Sequence, residues 1–115
     1  MPASIATSGS QTATLNTDHT LVTQTAPTGG AIYQLRARLN ELVSGEQLTL
    51  RLQVDGESGG TLEDLYSGTF AHVQGEPYKD SPAVVVPAGA RVRAILRQEG
   101  GTGRAFTWWL YRLDG

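Results

Sequence analysis

The stretch ARVRAILRQEGGTGRAFTWWLYRL, residues 90–113, decides how this chain folds. Apolar and polar side chains alternate through both of its halves. In the first half Val92, Ala94 and Leu96 share one face, and Arg91, Arg93 and Arg97 share the other. In the second, Phe106, Trp108 and Leu110 line one face while Thr107, Trp109 and Tyr111 line its opposite. Successive side chains of a strand point to opposite sides, so this pattern predicts two half-buried β-strands. Between them Gly100, Gly101, Thr102 and Gly103 supply the positive backbone angles of a tight reversal, which predicts an antiparallel hairpin. Much of the aromatic content lies on the last strand, so that strand is expected to run through the core.

The same alternation recurs upstream. Over residues 31–39, Tyr33, Leu35, Ala37 and Leu39 fall on one face and Gln34, Arg36 and Arg38 on the other. Over residues 47–54, Leu48, Leu50, Leu52 and Val54 point inward and Thr49 and Arg51 outward. The Thr-rich residues 12–16 and 20–25 also read as strands. Residues 83–86, fenced by Pro82 and Pro87, read as a short edge strand, because proline cannot donate to a ladder. Residues 62–73 read mostly as strand, bulged at Gly68. A single helical turn is expected over residues 40–45, with Asn40 as cap and Gly45 as terminator. Residues 27–30 read as a turn, and residues 55–60 and 76–82 as loops. About eight short strands with a turn every ten residues or so predict an all-β, antiparallel β-sandwich, jelly-roll-like in topology.

Residues 1–14 differ in kind. Ser, Thr, Ala, Gly and Gln dominate, and Ile5 is the only large apolar side chain besides Met1. Such a segment buries too little to offset its ordering entropy alone. It is expected to be an extended N-terminal arm that a partner orders, leaving residues 15–115 as a single β-sandwich domain. At 115 residues, one domain can hide roughly two-thirds of its surface from water.

The composition narrows the functional classes. A net charge of −2 argues against a nucleic-acid binder that works by general electrostatics. No apolar run approaches a membrane span, and the start lacks the basic and apolar regions of a secretory signal, so no membrane partner is expected. Without cysteine there is neither a disulfide framework nor a thiolate metal site, which fits a reducing cytoplasm. Every basic residue except Lys79 is arginine, the side chain suited to planar, hydrogen-bonded protein partners.

No motif carries chemistry. Gly56-Glu57-Ser58-Gly59-Gly60 matches G-x-S-x-G, but the nucleophile elbow needs a following helix and a large α/β scaffold. His19 and His72 lack ligand spacing. Asp55, Glu57, Glu63 and Asp64 do not fit an EF-hand loop. Gly101-Thr102-Gly103 leads into a strand, not into a helix N-terminus able to cradle phosphate. The chain is therefore expected to be no enzyme, with no cofactor and no metal. What remains is a set of outward side chains. Arg36, Arg38, Arg51, Arg91, Arg93 and Arg97 form a patch for partner carboxylates if their strands adjoin. Trp109 and Tyr111 either add the aromatic area that dominates interface energetics or lie buried under a loop of the same chain. Ile5 is the apolar anchor of the arm.

The polar arm, the run Leu39-Asn40-Glu41-Leu42-Val43-Ser44-Gly45-Glu46 leading into residues 48–54, and the ending Gly101-Thr102-Gly103-Arg104-Ala105-Phe106-Thr107-Trp108 resemble small virion structural proteins of tailed bacteriophages, in particular head decoration (cement) proteins. The resemblance spans residues 15–113, and its motifs are structural. It implies a protein made in the host cytoplasm and carried on the capsid exterior. There it would bind the major capsid protein, self-associate as a homodimer or homotrimer, bridge neighbouring capsomers and stabilise the shell. A tail, fibre or connector component is the alternative within that class. A carbohydrate-binding module, stacking sugars on Trp109, is the alternative outside it.

Overall fold

The computed structural model describes residues 3–113; Met1, Pro2, Asp114 and Gly115, which belong to the predicted arm and domain, lie outside the described residues. Nine strands follow one another: β1 (Ala3–Thr12), β2 (His19–Thr25), β3 (Ala31–Arg38), β4 (Gln47–Val54), β5 (Glu63–Ala71), β6 (Tyr78–Asp80), β7 (Val84–Val86), β8 (Arg91–Glu99) and β9 (Ala105–Leu113). They form two antiparallel sheets. Sheet A runs in the order β1-β9-β3-β6, with β7 also paired to β3; sheet B runs β2-β8-β4-β5.

The alternation read from the sequence sets the inner faces. Tyr33, Leu35 and Ala37 of β3 and Phe106 and Leu110 of β9 are fully buried on sheet A. Leu48 and Leu52 of β4 and Val92, Ala94 and Leu96 of β8 answer them on sheet B. Trp108 joins the core over Gly9 of β1, where an added Cβ would sit 3.2 Å from the indole. The core is thus a single layer of aliphatic and aromatic side chains between two pleated sheets.

The expected C-terminal hairpin does not form. β8 pairs with β2 and β4 in one sheet, and β9 pairs with β1 and β3 in the other. Their apolar faces meet across the core instead of lying side by side. An amphipathic strand buries its face equally well either way, so periodicity alone does not choose. Residues 100–104 carry the chain from sheet to sheet, a step of about 10 Å.

A buried polar cluster holds that crossing. Gln98 is fully buried; its Nε2 donates to the Thr102 carbonyl (2.7 Å) and its Oε1 accepts from the Arg104 amide (2.9 Å). Glu46, 1% exposed, ends another inter-sheet connection, residues 39–46, between β3 and β4. Its carboxylate accepts from the Val43 and Thr102 amides (both 3.1 Å) and from Arg104 Nη2 (3.0 Å). Gly101, at φ +69°, passes so close to that carboxylate that a Cβ there would collide with it.

Other expectations change locally. Residues 3–12 are not an arm awaiting another chain: they form β1, hydrogen-bonded along its length to β9 of the same chain. Backbone pairing, not apolar burial, orders this polar segment. The predicted strand over residues 12–16 ends at Thr12, and Asn16 adopts a positive φ of 59° in the loop that follows. Residues 40–45 make two successive turns, closed by Leu42 N to Leu39 O and Glu46 N to Val43 O, and no helical turn. The bulge of β5 lies at Leu65, not Gly68. Gly68 stays in register opposite Leu50, and the Tyr66 hydroxyl occupies the space where its Cβ would be. The predicted loop 76–82 contains β6.

Candidate interaction surface

Sheet A and sheet B present opposite outer faces, and the strand register says which side chains share each. On sheet A, Ser8 of β1, Trp109 of β9, Arg36 of β3 and Asp80 of β6 form one row across the strands. Ser10, Thr107, Arg38 and Tyr78 form the next, and Ile5, Tyr111 and Gln34 the row on the other side. Directly opposed antiparallel residues lie on one face, so these rows are contiguous surface.

Arg36 is the centre of that surface. Its Nε and Nη2 donate to Oδ1 and Oδ2 of Asp80 at 2.6 and 3.0 Å, a two-point bond that raises the guanidinium pKa above its ordinary value. The same guanidinium lies 5.1 Å from the Tyr111 ring centroid and 6.0 Å from that of Tyr78. Tyr78 in turn sits 5.8 Å from Trp109, the ring planes inclined by 47°. The guanidinium thus lies against two rings, Tyr78 and Tyr111, and Tyr78 carries the contact on to Trp109, so the three rings form one connected unit.

The surround is mixed and open: Ser8, Ser10, Thr107, Arg38 and Gln34 are polar, whereas Ile5 is 56% exposed and Val85 74%, and Tyr78 within the unit is 53% exposed. Beside Val85, a shallow cavity of about 270 Å³ is lined by Ile32, Val86, Pro87 and Leu113 at the end of the sheet. Arg38, at the opposite end of β3, is exposed.

Sheet B differs. Asp18 takes Arg51 at 2.7 Å and Arg97 at 3.3 Å; Arg97 also reaches Glu99 at 3.1 Å, and Arg51 reaches Asp64 at 3.6 Å. Arg93 donates to Gln53 Oε1 at 3.4 Å. Arg91 binds Asp55, whose side chain is fully buried and whose carboxylate also accepts the Arg91 amide at 3.2 Å. The Arg91 hydrogen bond holds the Asp55 carboxyl below the usual range, against the opposing effect of burial.

The structure therefore divides the predicted contact set. Ile5, Arg36, Arg38, Trp109 and Tyr111 come together on the outer face of sheet A. Arg51, Arg91, Arg93 and Arg97 lie on sheet B, so the six arginines form no single patch. β3 lies in sheet A and β4 and β8 in sheet B, which splits the arginines; the separation of β8 from β9, in place of the expected hairpin, parts Trp109 and Tyr111 from the β8 arginines. Tyr78, Asp80 and Val85 were missed. Tyr78 and Asp80 do alternate around Lys79, but Pro77 and Pro82 masked so short a strand.

The candidate motifs act as loop supports. His19 Nε2 accepts the Thr14 amide (2.9 Å) and His72 Nδ1 the Gly45 amide (3.0 Å). Gly60 N donates to Glu57 O (3.0 Å), turning the chain between β4 and β5. Among the described residues no three His, Cys, Asp or Glu side chains gather where they could hold a metal ion. Comparison with known proteins gives no match: no family model, no curated protein and no solved structure is similar to this chain.

Proposed function

We propose that this chain is a non-enzymatic structural protein that docks onto other protein subunits through the outer face of sheet A. Its role would be the one the phage resemblance implies: a cement protein on the capsid exterior, binding the major capsid protein and bridging capsomers. One observation carries the docking face. The Tyr78–Arg36–Trp109–Tyr111 unit is pre-organised within the chain and rimmed by exposed Ile5 and Val85, whereas the arginines of sheet B are already bound to the chain's own acids and amides. Aromatic and arginine side chains held in place before binding are the usual anchors of protein interfaces.

The strand orders support a further detail. β1-β9-β3-β6 and β2-β8-β4-β5, with β6 and β7 sharing one edge position, fit a jelly roll, an architecture used by capsid and lectin domains alike. Fold alone decides no function. The inclined Tyr78 and Trp109 rings offer no flat platform for a sugar chain, which favours a protein partner over a glycan. A protein that binds only the assembled lattice stabilises that state by mass action.

The experiment is co-sedimentation with expanded empty capsids. Binding should saturate, and Trp109→Ala should weaken it by about 30-fold or more, the scale of a hot-spot residue. Failure of the unsubstituted protein to bind, or its absence from purified particles, would refute the assignment.

A further inference from the structure

The sandwich has two open flanks, and their chemistry differs. On one, β5 carries Glu63 and Asp64, and β6 carries Lys79 and Asp80 between Pro77 and Pro82. Lys79 is in register with the buried Ala37 and so points to the inner side of the sheet, its Nζ 5.8 Å from the Phe70 ring centroid. Charges, prolines and an inward-pointing lysine are devices that stop a sheet edge from pairing with another chain. The two strands of the other flank carry none of these within their spans. β1 reads ASIATSGSQT and β2 reads HTLVTQT, without Asp, Glu, Lys, Arg or Pro. β1 is bulged at Ala6, but residues 7–12 beyond the bulge keep unbroken register with β9. Lying at the end of the sheet, β1 presents a second row of backbone groups outward.

We infer that β1 is a self-association edge, with residues 7–12 pairing antiparallel to the same residues of a second copy across a twofold axis. Three observations select a second copy. An uncharged strand meets itself without the like-charge repulsion that edges normally exploit. Twofold antiparallel pairing is self-complementary, so one sequence serves both sides. The far edge of sheet A is short and guarded, so assembly closes at two chains instead of propagating. An axis perpendicular to the sheet keeps outer faces on one side. Ser8 therefore opposes Ser10 of the second copy, or Ser10 opposes itself, and both Trp109 surfaces look the same way. This pairing does not depend on what the aromatic face binds.

The chain has no cysteine, so Ser8→Cys/Ser10→Cys introduces the only thiols. Opposed Cα atoms in an antiparallel pair lie about 4.5–5.5 Å apart, within disulfide reach. Copper-phenanthroline oxidation should give a covalent species of twice the 12.3 kDa chain mass, while Ser67→Cys/Thr69→Cys on β5 stays single. Sedimentation of the unsubstituted protein should show a concentration-dependent dimer. Ser8→Glu/Ser10→Glu should weaken it by about tenfold or more through opposed like charges, and Trp109→Ala should leave it unchanged. Near-ultraviolet circular dichroism of the buried Trp108, present in every variant, checks that each one folds. A monomer up to about 1 mM would overturn the inference. So would equal cross-linking at both edges, or a dimer lost in Trp109→Ala but kept in Ser8→Glu/Ser10→Glu.

Discussion

The two outer faces of this sandwich use the same ingredient, arginine on alternating strands, and end in opposite states. On sheet B each of Arg51, Arg91, Arg93 and Arg97 reaches an acid or amide of its own chain, and Asp18 serves two of them at once. On sheet A, Arg36 also has its acid, Asp80, but the pair is set among Tyr78, Trp109 and Tyr111 with exposed apolar side chains around it. Pairing on sheet B neutralises a surface; pairing on sheet A fixes aromatic rings in place. Counting arginines does not distinguish the two, whereas asking what surrounds each guanidinium does.

The contrast depends first on the two sheets keeping their places. Glu46→Ala strips the carboxylate from Arg104 and from the Val43 and Thr102 amides, so it should lower unfolding free energy by about 3 kcal/mol in urea titration. Next in size comes binding. Tyr78→Ala should cost about 2 kcal/mol of the proposed capsid affinity, by removing both the Trp109 contact and one wall of the Arg36 slot, with little change in melting temperature.

Acid sharpens the comparison differently. Arg104 and Arg91 hold the Glu46 and Asp55 carboxyls below their ordinary range in the folded chain. A depressed folded-state pKa contributes stability that is full above the unfolded value and lost as pH falls through the folded one. Thermal unfolding should therefore be steady above about pH 5 and decline below about pH 4, the region of ordinary carboxyl values. Glu46→Gln should flatten that decline. The smallest effect belongs to sheet B: Asp18→Ala opens two exposed ion pairs and should change stability by about 1 kcal/mol or less, leaving capsid binding untouched. A large loss of binding in Asp18→Ala would erase the distinction between the faces.

Inward and outward positions were legible in the sequence because alternation reports burial directly: Leu35, Leu50, Val92 and Phe106 all lie where their spacing puts them. Strand partnership was not. Val92–Leu96 and Phe106–Leu110 show the same period whether their strands share a sheet or face each other across the core. β1 escaped because an edge strand dominated by Ser and Thr has no apolar stripe, and its order comes from backbone pairing that no side-chain pattern reports. Of the candidate surface, Trp109, Tyr111 and Arg36 could be read as outward residues. Tyr78 reached them only through the β3–β6 pairing, a long-range contact.

Cryo-electron microscopy of decorated capsids tests the central claim most directly, because it reports which side of the sandwich faces the shell. The account predicts Trp109, Tyr78 and Ile5 at the capsid contact, with Arg51 and Arg97 turned to solvent. Density showing sheet B against the shell and the aromatic face in open solvent would contradict it.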